Sequence, residues 1–162
     1  LKKWIAILAT WFGLGRTKKA PGTFGTLGAI PLVFVLYQLG PIQYMIGTFL
    51  FIVFAIFISQ AHERELGHHD ASEIVIDEVA GFLVTMTWLP MGGKSLGIGF
   101  AIFRLLDIWK PFPIRYFDKK VEGGVGVVVD DVVAGLIANI FLQLLYTRTT
   151  WLGEQFIVIG TH

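Results

Sequence analysis

Apolar residues run along this chain in long uncharged blocks rather than in alternation with polar ones. No Asp, Glu, Lys or Arg occurs across residues 20–61, a stretch of 42 positions. One membrane-spanning helix needs about 20 apolar residues, so this block has room for two, and Gly40-Pro41 inside it reads as a tight turn. The pattern predicts a helical hairpin with a first span near residues 27–39 and a second near 41–61. Pro31 lies within the first span and is expected to kink it or to mark its first turn. Residues 79–93 and 95–103 are further apolar runs, divided by Lys94 and the turn Pro90-Met91-Gly92-Gly93. Residues 132–147 are the last, closed by Arg148. These later runs are shorter than a full span. To cross, their helices must extend into the charged segments beside them, bringing Asp77, Glu78, Arg104, Asp107, Asp130 and Asp131 to the bilayer rim. Residues 2–14, with Trp4, Ile5, Ile7, Leu8, Trp11 and Phe12 apolar, fit an interfacial helix or a first packed helix equally. The expected fold is all-α: one polytopic membrane helical bundle over residues 1–162, with about four to five membrane-embedded helices and an N-terminal interfacial helix.

Composition narrows the class. The chain is 54% hydrophobic and 15% charged, against about a quarter charged in ordinary soluble domains, and its mean hydropathy is +0.68. A chain of 162 residues cannot hide that much apolar surface in a water-soluble core. This argues against a disordered chain, a nucleic-acid binder or a disulfide scaffold. The absence of cysteine excludes thiol catalysis, cysteine-based zinc sites and disulfides. The net charge of +1 names no partner. Charge placement says more. Five passes put the N-terminus, residues 62–78 and residues 104–131 on one side, with eleven of the thirteen basic residues. The positive-inside rule makes that side cytoplasmic. Eleven of the twelve acids lie there too, which the rule does not require and which points to chemistry on that face.

Four constellations carry candidate chemistry. In Ala20-Pro21-Gly22-Thr23-Phe24-Gly25-Thr26, Gly22, Thr23 and Thr26 can aim backbone N–H groups and hydroxyls at a phosphate where a helix starts. An ordinary Pro-Gly turn would use the same residues. In Asp77-Glu78-Val79-Ala80-Gly81, two acids open an apolar run. Helix capping accounts for acids there, but ionisable groups at membrane depth are costly and mark sites, and Asp with Glu suits a hard cation such as Mg²⁺. In residues 103–115, Arg104 and Asp107 are three apart and share a helix face, Lys110 continues it, and Pro111 ends the helix. Arg104, Lys110 and Arg115 suit phosphate binding. In residues 123–135 a glycine-rich loop is expected to lead into Asp130 and Asp131 at the start of an apolar helix. Asp77, Glu78, Asp107, Asp130 and Asp131 thus reach one level of the bilayer from three separate segments. They can sit together only if protonated or neutralised by cations, which favours a bound metal with arginine and lysine. No histidine falls in these motifs, and His68-His69 reads as a solvated loop.

These four segments, in this order over about residues 13–147, resemble phosphatidylglycerophosphatase A, a family of bacterial membrane lipid phosphatases. The third and fourth are the specific ones. One departure precedes Asp77, where Ala71-Ser72 stand in place of the His-Gly pair of some relatives. The resemblance implies a multi-pass protein of the bacterial inner membrane, with its active site on the cytoplasmic side. It implies Mg²⁺-dependent removal of the terminal phosphomonoester of phosphatidylglycerophosphate, giving phosphatidylglycerol and phosphate in phospholipid and cardiolipin-precursor biosynthesis. Asp77, Glu78, Asp107, Asp130 and Asp131 would then hold metal or act in catalysis, with Gly22, Thr23, Thr26, Arg104, Lys110 and Arg115 on the phosphate. A metal-activated water and an aspartyl-phosphate route both remain open. A small membrane cation transporter would also use buried carboxylates, but would spread them through the membrane rather than gather them at one side. A non-catalytic membrane subunit would leave the convergence of the polar motifs without a purpose.

Overall fold

The computed structural model describes residues 2–67, 71–116, 121 and 123–152. Among the described residues regular structure is helical and no strand occurs. The helices are α1 (Lys2–Ala9), α2 (Pro21–Gln38), α3 (Pro41–Leu66), α4 (Ile76–Thr85), α5 (Gly93–Trp109) and α6 (Gly123–Arg148), with a 3-10 turn at Leu14–Arg16. The His68-His69 expectation falls outside the described residues. Helices α3 and α6 have 26 residues each, about 39 Å of helix, and both are long and apolar enough to cross a membrane. Their outer faces expose Phe49, Leu50, Phe57, Ile140, Phe141 and Leu144, a density of large apolar side chains that suits lipid rather than water.

The expected hairpin is α2–α3. Gly40 turns it with φ at 102°, a conformation that favours glycine, and Pro41 opens α3. Helix α2 begins at Pro21, earlier than the apolar pattern implied, so Pro31 sits inside it rather than in its first turn. Helix α1 stops at Ala9, short of the expected residue 14. Trp11, Phe12 and Gly13 adopt positive φ, which breaks the helix.

Two elements differ from the expectation more deeply. The apolar run at 79–93 does not form a span. Helix α4 has ten residues, about 15 Å, and is buried along nearly its whole length. It packs against α2, α3, α5 and α6, and Val79, Phe82 and Leu83 share a core with Val33, Phe103, Ala134, Ala138 and Leu142. Its hydrophobicity reflects enclosure by protein, which a pattern of apolar residues cannot tell from enclosure by lipid. The glycine-rich stretch before Asp130 is not a loop either: residues 123–129 are the first two turns of α6. Gly124 lets α6 lie against α3, since a Cβ there would come within 2.6 Å of the Gln60 backbone nitrogen. The Gly124 N–H donates to Gln60 Oε1 at 3.0 Å.

Helices α4 and α6 cross at Gly81 and Gly135. A Cβ on Gly81 would stand 2.7 Å from the Asp131 carbonyl oxygen and 2.7 Å from the Phe103 ring, and one on Gly135 would run into the Gly81 carbonyl. Gly81→Ala and Gly135→Ala should each lower stability by about 1–3 kcal/mol through overpacking, read as an earlier unfolding midpoint in detergent. Gly97→Ala, where nothing lies within 4 Å of the added carbon, should not lower it.

Candidate active site

At the end of the bundle where α2 and α4 begin and α5 ends lies a cavity of about 240 Å³. It is lined by Ala20, Pro21, Gly22, Ala71, Ser72, Ile74, Asp77, Glu78, Arg104, Asp107, Lys110, Val127, Asp130 and Asp131. A roomier groove of about 750 Å³ at the other end of the bundle is lined by Tyr37, Trp88, Leu89 and Tyr146 among others, with no acid or cation among its described lining residues. Size therefore does not mark the polar site; charge does.

Each element delivers its side chains for a local reason. Helix α4 carries Asp77 and Glu78 in its first turn, where its dipole favours negative charge. Helix α5 brings Arg104 and Asp107 from the opposite direction, three residues apart on one face, and they form an ion pair. It ends at Lys110, which is left-handed at φ 44° and ψ 58° and precedes Pro111. Lys110 Nζ then donates to Asp130 Oδ2 at 2.6 Å. Asp130 and Asp131 lie two turns inside α6, so capping does not account for them. Gly22 is open for a specific reason: a Cβ there would meet Glu78 Oε1, and would lie 2.8 and 2.9 Å from the Arg104 guanidinium nitrogens. The start of α2 therefore reaches the charged groups directly, with Gly22 in the cavity wall.

Among the described residues five carboxylates and two cations line this cavity. When all of these are ionised, they carry three more negative charges than positive ones, an arrangement that invites a cation. Asp77, Glu78 and Asp131 each offer an oxygen within 4.8 Å of the others. Arg104 Nη1 lies 3.7 Å from Glu78 Oε1, while the buried Glu78 Oε2 has no hydrogen-bond partner among the described residues. Three clustered carboxylate oxygens, together with a Glu78 oxygen buried without a partner, fit a hard divalent cation that completes its shell with water or phosphate.

The structure gathers Asp77, Glu78, Asp107, Asp130, Asp131, Gly22, Arg104 and Lys110 around this cavity. Thr23, Thr26 and Arg115 do not line it. Thr26 is buried and its hydroxyl donates to the Gly22 carbonyl at 2.8 Å within α2. Arg115 lines an adjoining pocket with Trp109, Pro111, Phe112 and Tyr116, and Lys110 is common to both.

One group of residues escaped the motif reading. The strap that carries Ala71 and Ser72 into the cavity wall is held from behind by Glu73. Glu73 Oε1 lies 2.8 Å from His62 Nε2 and Oε2 lies 3.8 Å from Arg16 Nε. The Val75 N–H donates to the Ala9 carbonyl at 3.0 Å, and Gly15 leaves space for the Glu73 backbone. His62 is a lone histidine in the last turns of an apolar helix, and nothing in its spacing pairs it with Glu73 or Arg16. Glu73→Ala strands the His62 side chain, which is only 4% exposed, and should lose about 1–3 kcal/mol. In a double-mutant cycle with His62→Ala, the two losses should sum to more than the double variant loses.

The family model for phosphatidylglycerophosphatase A matches residues 7–146. Phosphatidylglycerophosphatase A of Escherichia coli K12 is 40% identical over 133 residues, covering 82% of this chain and 77% of its own. The Haemophilus influenzae protein of the same name is 41% identical over 138 residues, covering 84% and 85%. A Bacteroides thetaiotaomicron protein, named provisionally a phosphatidylinositol-3-phosphatase, is 33% identical over 146 residues, covering 85% and 91%. No solved structure matches the chain. With the matched region containing every residue of the acid-lined cavity, the chain belongs to the phosphatidylglycerophosphatase A family, a family of phosphatases.

Proposed function

We propose that this protein hydrolyses the terminal phosphomonoester of phosphatidylglycerophosphate in a Mg²⁺-dependent reaction. The products are phosphatidylglycerol and inorganic phosphate, and the step belongs to phospholipid biosynthesis. The observation that carries this reading is the convergence of five carboxylates, Arg104 and Lys110 on one small cavity in a chain of this family. Apolar α3 and α6 and the basic bias of the N-terminal, 62–78 and 104–131 segments support a multi-pass protein of the bacterial inner membrane, one domain over residues 1–162, with this cavity on the cytoplasmic side.

Asp77, Glu78 and Asp131, whose oxygens cluster, are the residues that would hold the cation. Bound there, Mg²⁺ supplies charge neutralisation and Lewis acidity at the phosphoryl oxygens. Arg104 and Lys110, each held by a carboxylate, present positive charge to the phosphate while remaining anchored. At the start of α2 the Gly22 N–H would add one donor, since those of Thr23 and Phe24 donate to the Ala20 carbonyl. Asp107 and Asp130, oriented by those same cations, are the carboxylates that would accept a proton from the incoming nucleophile. In the net reaction the bond from phosphorus to the glycerol oxygen breaks, the phosphoryl group passes to water, and the glycerol oxygen takes up a proton. Enclosure among α2, α4 and α5 keeps the site small enough for a head group while acyl chains stay in lipid.

Phosphate release from phosphatidylglycerophosphate in detergent should require Mg²⁺ and stop with a chelator. Asp131→Asn and Asp107→Asn should each lower kcat at least a hundredfold, with the metal-free protein still folded and Asp107→Asn, which removes the charge paired with Arg104, the less stable of the two. Mg²⁺ at a hundred times its Kd should add about 2.7 kcal/mol of stability to the unaltered protein, and Asp131→Asn should lose most of that gain. Undiminished turnover in both variants would remove the proposed site. Hydrolysis of a phosphoinositide monoester in preference to phosphatidylglycerophosphate would move the substrate toward that named for the Bacteroides relative.

A further inference from the structure

The proposed substrate carries two phosphates: the terminal monoester that is removed, and the diester, three carbons away, that joins the head group to diacylglycerol. The acid-lined cavity accounts for the first. Beside it lies a pocket of about 420 Å³ lined by Trp109, Lys110, Pro111, Phe112, Arg115 and Tyr116. Among its described lining residues there are two cations and no acid. Lys110 forms the wall between the two pockets and is held on the acid side by Asp130 at 2.6 Å. Arg115 is exposed, and no ion pair engages it among the described residues.

The surroundings match a lipid rather than a soluble phosphate. Trp109 is 74% exposed and Phe112 85%, and Tyr116 is exposed beside them, the aromatic setting of a membrane interface. One turn back along α5 from Trp109, Leu105 is exposed on the same face, and exposed Ile108 beside it widens the apolar surface that runs from the pocket along the helix. A guanidinium binds a phosphodiester through two parallel N–H bonds.

We propose that the Trp109–Arg115–Tyr116 pocket is a subsite for the phosphodiester of the diacyl lipid, with Arg115 binding its oxygens and the aromatic rim receiving the start of the acyl chains. The subsite rests on the phosphatase reading, and it makes Arg115 a specificity residue. It favours lipids with a diester three carbons from the monoester over phosphatidic acid, which has the monoester alone.

Two measurements separate this inference from the reading it rests on. In the first, kcat/KM of the full chain is compared for phosphatidylglycerophosphate and phosphatidic acid. Arg115→Gln should lower the ratio between the two at least tenfold, mostly by raising KM for the diester-bearing lipid, and Arg115→Lys should restore part of it. An equal loss on both lipids would place Arg115 on the monoester, and an unaltered ratio would remove the subsite. The second needs no turnover. Short-chain phosphatidylglycerol, which has the diester and no monoester, should bind the full chain in neutral detergent, and Arg115→Gln should weaken its Kd about tenfold. Equal binding to both proteins would overturn the subsite, whereas normal binding without any phosphate release would overturn the phosphatase reading and leave the subsite standing.

Discussion

The site depends on the close approach of two backbones, α4 and α6, at Gly81 and Gly135. Gly81 is four residues after Asp77 and Gly135 four after Asp131, so in each helix the crossing lies one turn from an acid, on the same face. Bringing the two glycines together therefore brings the two acids to one level. Side chains at the crossing would hold the helices apart, as the contacts that a Cβ would make with Asp131, Phe103 and Gly81 indicate. Small residues serve close helix packing well in membranes, where water contributes no hydrophobic drive between helices and van der Waals contact must supply it. Ala134 and Ala138, both fully buried, continue the same surface along α6.

That approach creates an electrostatic problem, and the other elements answer it. Asp77, Asp130 and Asp131 are buried, and carboxylates out of water are tolerated only with partners. Helix α5 supplies Arg104, placed between Asp107 and Glu78, and Lys110, placed on Asp130. Helix α2 contributes its N-terminus, admitted by the missing side chain of Gly22. Among the described residues Glu78 has only the longer contact with Arg104, at 3.7 Å, and Asp131 is in none of the ion pairs that hold Asp107 and Asp130. With Asp77 they form the oxygen cluster suited to a divalent ion. Partition of one acid cluster into cation-paired members and metal-suited members follows from where the basic side chains can reach.

The same geometry gives the strap at 71–75 a purpose. A short buried α4 needs its N-terminus delivered at the correct height, and the segment before it buries Ala71, Ile74 and Val75. His62, Arg16 and the Ala9 carbonyl fix the polar side of that segment, with Gly15 and Gly25 leaving space for its backbone and for Val75. The N-terminal segment is thereby tied to the wall of the site, and does more than rest at a membrane surface.

The sequence by itself determined the helical class, the α2–α3 hairpin, and the set of acids and cations that would meet. Uncharged blocks have one low-cost backbone solution, and ionisable residues at their ends are too costly to be scattered without cause. It did not determine that residues 79–93 hold a short core helix, because apolar residues look alike whether protein or lipid encloses them. Nor did it determine that the glycines at 123–126 are helical, because glycine permits a loop and also permits close packing, and the neighbour decides which. Arg115 shows the limit most clearly: its charge and its place near the rim were legible, but its separation from Arg104 and Lys110 into a second pocket was not. That separation arises where α5 ends at Lys110 and Pro111 turns the chain away, so only the folded chain sets which cation faces which phosphate.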